Sequence, residues 1–199
     1  YMLLRKKEEI EKWLNQCEIK NYELIEDNKY GYVVNVNDGV ILFSRNLSSL
    51  SVKFNEVYGI FNCSFNELTS LEGCPKIVHG DFYCYGNKLE SLKGCPEIVN
   101  GNFSFGNNLI SSLKYCPEII HHNFYASDNN LTIEGLKYLP KNIKSKIEIK
   151  DNKKLSNLQN IENIEELKEK LEEIFKIKEE QEKISKSIIT KKKKNINKI

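Results

Sequence analysis

The sequence is poor in the motifs that usually carry catalysis or hold metal ions. Its 199 residues include three histidines and one tryptophan, and they contain no Gly-x-Ser-x-Gly, P-loop or His-Glu-x-x-His pattern. No Cys-x-x-Cys pair is present, and no histidine stands near a cysteine at the spacing of a zinc site. We therefore expect a protein that is not an enzyme and that uses no cofactor or metal.

Long apolar runs and a strong net charge are also missing. No stretch approaches the length of about 20 apolar residues that a membrane-spanning helix needs. The first residues, Tyr1 to Glu9, lack the apolar run of a signal peptide. Acidic and basic side chains nearly cancel, with a net charge of +2, so bulk charge does not favour binding to a polyanion. We expect no membrane contact and a cytoplasmic location, where thiols stay reduced.

What the sequence does contain is a 21-residue repeat between residues 57 and 143. A cysteine–proline pair recurs at this step, and so do a glycine, a phenylalanine and an asparagine. The repeated positions are Cys74, Cys95 and Cys116; Pro75, Pro96 and Pro117; Gly59, Gly80 and Gly101; Phe61, Phe82, Phe103 and Phe124; and Asn66, Asn87, Asn108 and Asn129. A fixed period between about 20 and 50 residues is typical of stacked repeats, in which neighbouring units bury a core jointly.

A single unit indicates how the repeat builds that core. Phe82 and Cys84 alternate with more polar neighbours, as in a strand with one buried face. Asn87 follows where the chain must leave the strand, and a buried asparagine can bond the backbone of its own turn and of the stacked neighbour. Leu89 and Leu92 then point back inward. Repetition therefore predicts a ladder of buried asparagines, and it favours buried, unpaired cysteines at the repeated positions.

This pattern resembles the leucine-rich repeat, in particular the short bacterial and bacteriophage type with a Gly-Cys-Pro step. The family pattern, apolar-x-apolar-x-x-Asn-x-Leu-x-x-Leu, is met by Phe61, Cys63, Asn66, Leu68 and Leu71, and again in the next two units; a fourth unit contains a two-residue slip. The resemblance implies an α+β fold: a short leucine-rich-repeat-like solenoid with an N-terminal helix and β-hairpin cap and a C-terminal helix. It also implies a phage or mobile-element source, and hence action in the cytoplasm of a host cell.

The N-terminal part of the chain is predicted to form a cap on the first repeat of the solenoid. Residues 1–56 contain an amphipathic helix up to about residue 16. They also contain a predicted hairpin around Asn37-Asp38-Gly39, because Asp-Gly tolerates the positive φ of a tight turn. A solenoid needs such a cap, since its last core layer would otherwise face water. Residues 57–158 are assigned to the solenoid itself, including a degenerate last unit.

The C-terminal part is predicted to be a helix followed by a tail. Residues 159–188 form an amphipathic helix, with Asn163 and Glu166 as a capping box at its start. Two interpretations stay open: the helix caps the last repeat, or it serves docking or dimerisation. Residues 189–199 are basic and are predicted to be disordered.

The candidate binding site is the outward, concave face of the strands. Tyrosine is a frequent anchor in protein interfaces, although strand propensity alone would also place tyrosines there. The candidate partner-binding residues are Tyr83, Tyr85, Tyr125, Phe65, Asp81 and Asn102. A weaker candidate site is the lysine run of the tail, which could contact nucleic acid by charge alone. It consists of Lys191, Lys192, Lys193 and Lys194.

These features predict a non-catalytic protein-binding repeat module whose partner is a protein or a ribonucleoprotein. Two alternatives stay open. One is an inhibitor of a bacterial defence complex, such as an anti-CRISPR factor. The other is a nucleic-acid-binding accessory protein that uses the basic tail.

Overall fold

The structure is a computed structural model that describes residues 3–140, 143, 145–158 and 160–196. The chain divides into two compact units, Tyr1–Ile164 and Glu165–Ile199. The first unit holds the strands, and the second holds all but the first residue of one long helix.

The first unit begins with helix α1 (Lys7–Gln16). Its strands are β1 (Tyr22–Asp27), β2 (Gly31–Val36), β3 (Val40–Ile41), β4 (Phe54–Val57), β5 (Phe61–Asn62), β6 (Ile77–Val78), β7 (Phe82–Tyr83), β8 (Ile98–Val99), β9 (Phe103–Ser104), β10 (Ile119–Ile120), β11 (Phe124–Tyr125) and β12 (Ile147–Glu148). The short helix α2 (Ile133–Leu136) precedes β12, and a 3-10 turn at Lys153–Leu155 follows it. Helix α3 spans Ile164–Ile196.

Each coil contributes one strand to each of two sheets. Sheet A has the order β1-β2-β4-β6-β8-β10, and sheet B has the order β12-β11-β9-β7-β5-β3. The β1–β2 pair is antiparallel and the other pairs are parallel, with equivalent residues of successive units side by side. The repeats therefore stack as a β-solenoid of about five turns, which confirms the predicted α+β repeat architecture.

The buried phenylalanines of sheet B form a continuous stack through the core. The ring centroids of Phe61, Phe82, Phe103 and Phe124 follow one another at 5.6, 5.7 and 5.9 Å, and all four side chains are fully buried. Glycine is needed at the corner between the sheets, since a Cβ on Gly80 would lie 2.7 Å from the carbonyl oxygen of Gly59. The 21-residue period thus reflects one turn of the coil, with the same side chain above itself at every turn.

The predicted asparagine ladder is confirmed. Asn87 Nδ2 donates to the carbonyl oxygens of Cys63 at 3.0 Å and Cys84 at 3.1 Å, and its Oδ1 accepts from the N–H of Leu68 at 3.0 Å. The same bonds recur, with small changes in distance, at Asn66, Asn108, Asn129 and Asn152. Each ladder asparagine therefore joins its own turn to the preceding coil.

Three features differ from the predictions. The repeated units have a second strand that was not predicted, because Val78 and Val99 pair with each other in sheet A. The segment Asn37-Asp38-Gly39 does not close a hairpin. It is the corner between β2 in sheet A and β3 in sheet B, and β3 pairs with β5 of the next coil. The antiparallel hairpin is β1–β2 instead, and Asp27 Oδ1 fixes its turn by accepting two backbone N–H groups at 2.8 Å.

The third difference concerns the C-terminal end. Helix α3 begins at Ile164, directly after Asn163, as predicted. It continues to Ile196 and so includes most of the segment that was predicted to be disordered. Lysine is a good helix former, and the segment contains neither glycine nor proline to end the helix. In the described part of the chain, no helix is both long enough and apolar enough to span a bilayer.

Candidate partner-binding surface

The outward face of sheet B is built from the residues that follow the buried phenylalanines. Strand register places Asn62, Tyr83, Ser104 and Tyr125 side by side in one column. Tyr83 and Tyr125 therefore flank Ser104, two strand spacings or roughly 10 Å apart. The column thus has the small side chain of Ser104 between two large ones. We refer to Tyr83, Ser104 and Tyr125 as the tyrosine notch.

Tyr83 is held in one orientation by Asp81. Its hydroxyl donates to Asp81 Oδ2 at 2.7 Å. Partial burial, together with this bond to a carboxylate, raises the pKa of Tyr83 from 10 to about 12. The bond to Asp81 thus holds the Tyr83 ring at one edge of the notch.

Asp81 and Asn102 form a second ladder along the same face. Asp81 Oδ1 accepts from the backbone N–H of Asn102 at 2.6 Å and from its Nδ2 at 3.0 Å. Asn102 Oδ1 in turn accepts from the N–H of Asn123 at 3.1 Å, and Asn123 Oδ1 accepts from the N–H of Lys146 at 3.1 Å. Both predicted site residues lie next to the notch, but these oxygens hold neighbouring coils together.

A row of aromatic rings lies at the edge of the same face. The ring centroids of Phe43 and Phe65 are 5.3 Å apart, and those of Phe65 and Tyr85 are 5.2 Å apart. Phe43 is 48% exposed and Phe65 is 49% exposed. We refer to Phe43, Phe65 and Tyr85 as the aromatic row. The exposed Ile41 lies beside it, in the column of the tyrosine notch.

Ile41 and Phe43 were not predicted as site residues, although a signal for them was present in the sequence. These residues stand 21 positions before Asn62 and Ser64, so they occupy the same outward positions one coil earlier. The segment was assigned to a hairpin in the cap, which removed it from the repeat register. The structure brings them together with the predicted residues Phe65 and Tyr85.

Phe65 adopts a backbone conformation that does not suit phenylalanine. Its φ is 54°, and the equivalent positions of the next three coils hold Gly86, Asn107 and Asp128, with φ between 50° and 66°. Glycine, asparagine and aspartate tolerate this left-handed region, whereas a bulky residue there is an outlier. An exposed aromatic side chain therefore stands where folding alone favours a small or polar one.

The opposite end of the face is charged rather than apolar. Glu162 accepts ion pairs from Lys146 at 3.2 Å and Lys150 at 3.1 Å, and these lysines hold the pKa of that carboxyl below its usual value. Ser127 Oγ donates to Glu148 at 3.0 Å. The outward face of sheet B thus changes from apolar, through tyrosines, to paired charges along the solenoid.

His79, which follows β6 of sheet A, and the lysine run of the tail lie away from the outward face of sheet B in the sequence register. His79 is exposed; its Nε2 lies 3.3 Å from Glu56 Oε2, and its ring stacks on Tyr58 at 4.5 Å. Among the residues that the structure describes, no cluster of three histidine, cysteine or acidic side chains could hold a metal ion. Lys191 to Lys194 lie in the last turns of α3, and their side chains fall outside the described residues.

No protein-family model, curated protein or solved structure is significantly similar to this chain. The function is therefore inferred from the chemistry of the surface itself.

Proposed function

We propose that this chain is a non-catalytic protein-binding module of the leucine-rich-repeat type, and that it engages a protein partner through the outward face of sheet B. The observation that carries this proposal is the exposed aromatic row beside Ile41. Contiguous exposed apolar surface on a folded protein often marks an interaction site, and aromatic side chains dominate binding energy at such sites.

The backbone conformation of Phe65 supports the same proposal. A phenylalanine in the left-handed region costs stability, on the order of 1 kcal/mol, and about half of this side chain stays exposed although its ring packs on Phe43 and Tyr85. Strained residues of this kind cluster at functional sites. The role we assign to Phe65 is that of an anchor that a partner covers.

The two parts of the face suit different parts of a partner. The aromatic row and Ile41 favour an apolar protrusion, which would gain free energy from the loss of exposed surface. The tyrosine notch favours a polar group that bonds to a phenol hydroxyl. Since both parts stand on stacked strands held by two side-chain ladders, little ordering would be needed on binding. A bacterial defence complex is one partner of this class, in keeping with a phage source.

The proposal is tested by the substitution Phe65→Asn. Asparagine tolerates positive φ, as at the equivalent Asn107, so the melting temperature is expected to stay the same or to rise slightly. Capture of partner proteins from bacterial lysate on the immobilised chain, measured by quantitative mass spectrometry, is expected to fall at least tenfold, as for an interface anchor.

The matched control is Tyr115→Asn. Tyr115 is also an exposed aromatic residue with positive φ, at 71°, but it lies in the turn before Cys116 and not on sheet B. This variant should capture the same proteins as the unmodified chain. If Phe65→Asn leaves every captured protein at its original level, the binding surface lies elsewhere.

A further inference from the structure

Helix α3 carries an exposed apolar stripe toward its C-terminal end. The helix has 33 residues and is therefore about 50 Å long. Ile177, Ile184 and Ile188 are 47%, 59% and 49% exposed, and with Gln181 they follow one another at steps of four, three and four residues. This is the spacing of a coiled-coil seam, which places the four side chains on one side of the helix. We call these four residues the isoleucine seam.

The charge of α3 is divided between its two halves. Residues 165–182 contain eight acidic side chains and four lysines, whereas residues 183–196 contain six lysines and no acidic residue. A second helix aligned in parallel would set each half against a half of the same sign. An antiparallel second copy sets the acidic half of each helix against the basic half of the other, which is electrostatically favourable.

The seam is also self-complementary in the antiparallel alignment. If the two helices cross between Glu182 and Lys183, Ile177 of one copy lies level with Ile188 of the other, and Gln181 lies level with Ile184. A symmetric dimer requires this kind of match, in which one surface patch pairs with itself. In the same alignment Glu173 lies level with Lys192.

We propose that α3 pairs with α3 of a second copy of this chain as an antiparallel two-helix coiled coil, centred between Glu182 and Lys183. Pairing removes the isoleucine seam from water and neutralises the charge of both halves. The charge division also favours an isolated helix, because acidic residues near the N-terminus and basic residues near the C-terminus complement the helix dipole. The helix dipole accounts for the charge division but leaves the isoleucines exposed. Pairing with a second copy accounts for both the charge division and the exposed isoleucines.

This inference does not depend on the proposed function, and it adds bivalency to it. A dimer carries two copies of the outward face of sheet B. When a partner displays the recognised feature twice, the second contact is intramolecular, and the overall affinity rises without any new contact.

The first experiment measures the oligomeric state of the full chain by sedimentation velocity, from micromolar to submillimolar concentration. We expect a dimer whose population rises with concentration and falls as salt is added, since salt screens the attraction between opposite charges. Ile188→Asp should raise the dissociation constant of the dimer at least tenfold, because it sets a charge in the seam. Ile189→Asp is the matched control: the same change at the next residue, about 100° away around the helix, should alter that constant less than twofold.

The second experiment fixes the orientation by cross-linking. Chains carrying Ile177→Cys and chains carrying Ile188→Cys are mixed and mildly oxidised, with one set made larger by a tag. The antiparallel pairing predicts mixed disulfide dimers and few dimers of either variant with itself, since like positions lie about 16 Å apart along the axis. The unmodified chain, with its native cysteines, gives the background.

Three results would overturn the proposal. A monomer at every concentration would exclude the pairing. Equal effects of Ile188→Asp and Ile189→Asp would mean that the seam is not the contact. Cross-links of each variant with itself, in place of mixed dimers, would show that the helices run in parallel.

Discussion

Two exposed aromatic residues occupy backbone positions where glycine would be easier to place. Gly73 and Gly94 have φ values of 96° and 91°, and the equivalent residue of the next unit is Tyr115 at 71°. Phe65 departs from its own equivalents in the same way. An L residue with a large side chain costs on the order of 1 kcal/mol in this region. At these two positions, replacement by asparagine or glycine removes the backbone strain together with the aromatic ring. A loss of binding without a loss of stability would then show that the ring serves binding.

Tyr83 gives a residue-scale prediction that concerns pH. Burial and the bond to Asp81 favour the neutral phenol, so the pKa in the folded chain, about 12, lies above the ordinary value of 10. The folded state then binds more protons than the unfolded state between these values, and this contribution to stability, complete below pH 10, is lost as the pH rises toward 12. In a titration followed by phenolate absorbance, Tyr83→Phe should remove a step near pH 12 from the curve of the unmodified chain. Loss of a step near pH 10 instead would contradict the assigned environment.

At the scale of elements, the strands of sheet B are too short to be stable by themselves. Strands β5, β7, β9 and β11 each contain two residues, so each coil relies on its neighbours and on the side-chain ladders. The ladder asparagines bond the carbonyl groups of Cys84 and Phe105, at the point where the chain leaves sheet B. The side-chain bonds of the ladders therefore continue the hydrogen bonding of sheet B beyond its two-residue strands.

Asn108→Ala is predicted to lower the free energy of unfolding by about 3 kcal/mol, because the buried N–H of Leu89 loses its acceptor and three carbonyl groups each lose one of their hydrogen bonds. These are the carbonyls of Cys84, Phe105 and Gly106. Urea denaturation followed by circular dichroism measures the change. The control is Asn15→Ala, an exposed position near the end of α1, which should shift stability by less than about 0.5 kcal/mol. A similar small shift for Asn108→Ala would mean that water replaces the ladder.

At the scale of the whole molecule, stacking buries most of the thiols in one core. All six cysteines are free; Cys63, Cys74 and Cys84 are fully buried. Burial raises the pKa of Cys84 and Cys116 well above the usual range, and the bond to the Cys74 thiol together with burial does the same for Cys63. The reactive thiolate is therefore suppressed as long as the coils stay stacked.

Thiol labelling should report on the integrity of the solenoid. At pH 8 the thiols of Cys63 and Cys84 are expected to react with Ellman's reagent more than tenfold slower in the folded chain than in guanidinium, because thiolate and access are both lacking there. Stability should also fall as the pH rises above about 8.5, since the thiols of Cys63, Cys84 and Cys116 ionise at lower pH in the unfolded state than in the folded state. Rapid labelling of even one core thiol in the folded chain would mean that a coil opens locally. Tryptic mapping of the labelled residue would then identify that coil.

The sequence determined the repeat, its register and much of the candidate surface. A 21-residue period sets equivalent residues above one another, so the phenylalanine stack, the asparagine ladder and the positions of Tyr83 and Tyr125 two coils apart all follow from counting. Burial has a simple cause in such a fold, since an alternating apolar residue at a repeated position faces the shared core. Phe65 and Tyr85 were predicted as site residues from their place in the same register.

Only the tertiary structure decided which segments pair. The Asp-Gly signal at Asp38-Gly39 is local, but β3 gains more by joining the next coil, so the hairpin forms at β1–β2 instead. Strands β6 and β8 each consist of two adjacent apolar residues, which show no alternation of polar and apolar side chains, and sheet A could not be predicted for that reason. The aromatic row combines a residue assigned to the cap with residues of the repeat, and the contact between Phe43 and Phe65 exists because the coil brings positions 22 residues apart together. Sequence spacing determines which residues occupy equivalent positions in successive coils. Competition among the possible strand pairings, which depends on the whole stack, determines which residues come into contact.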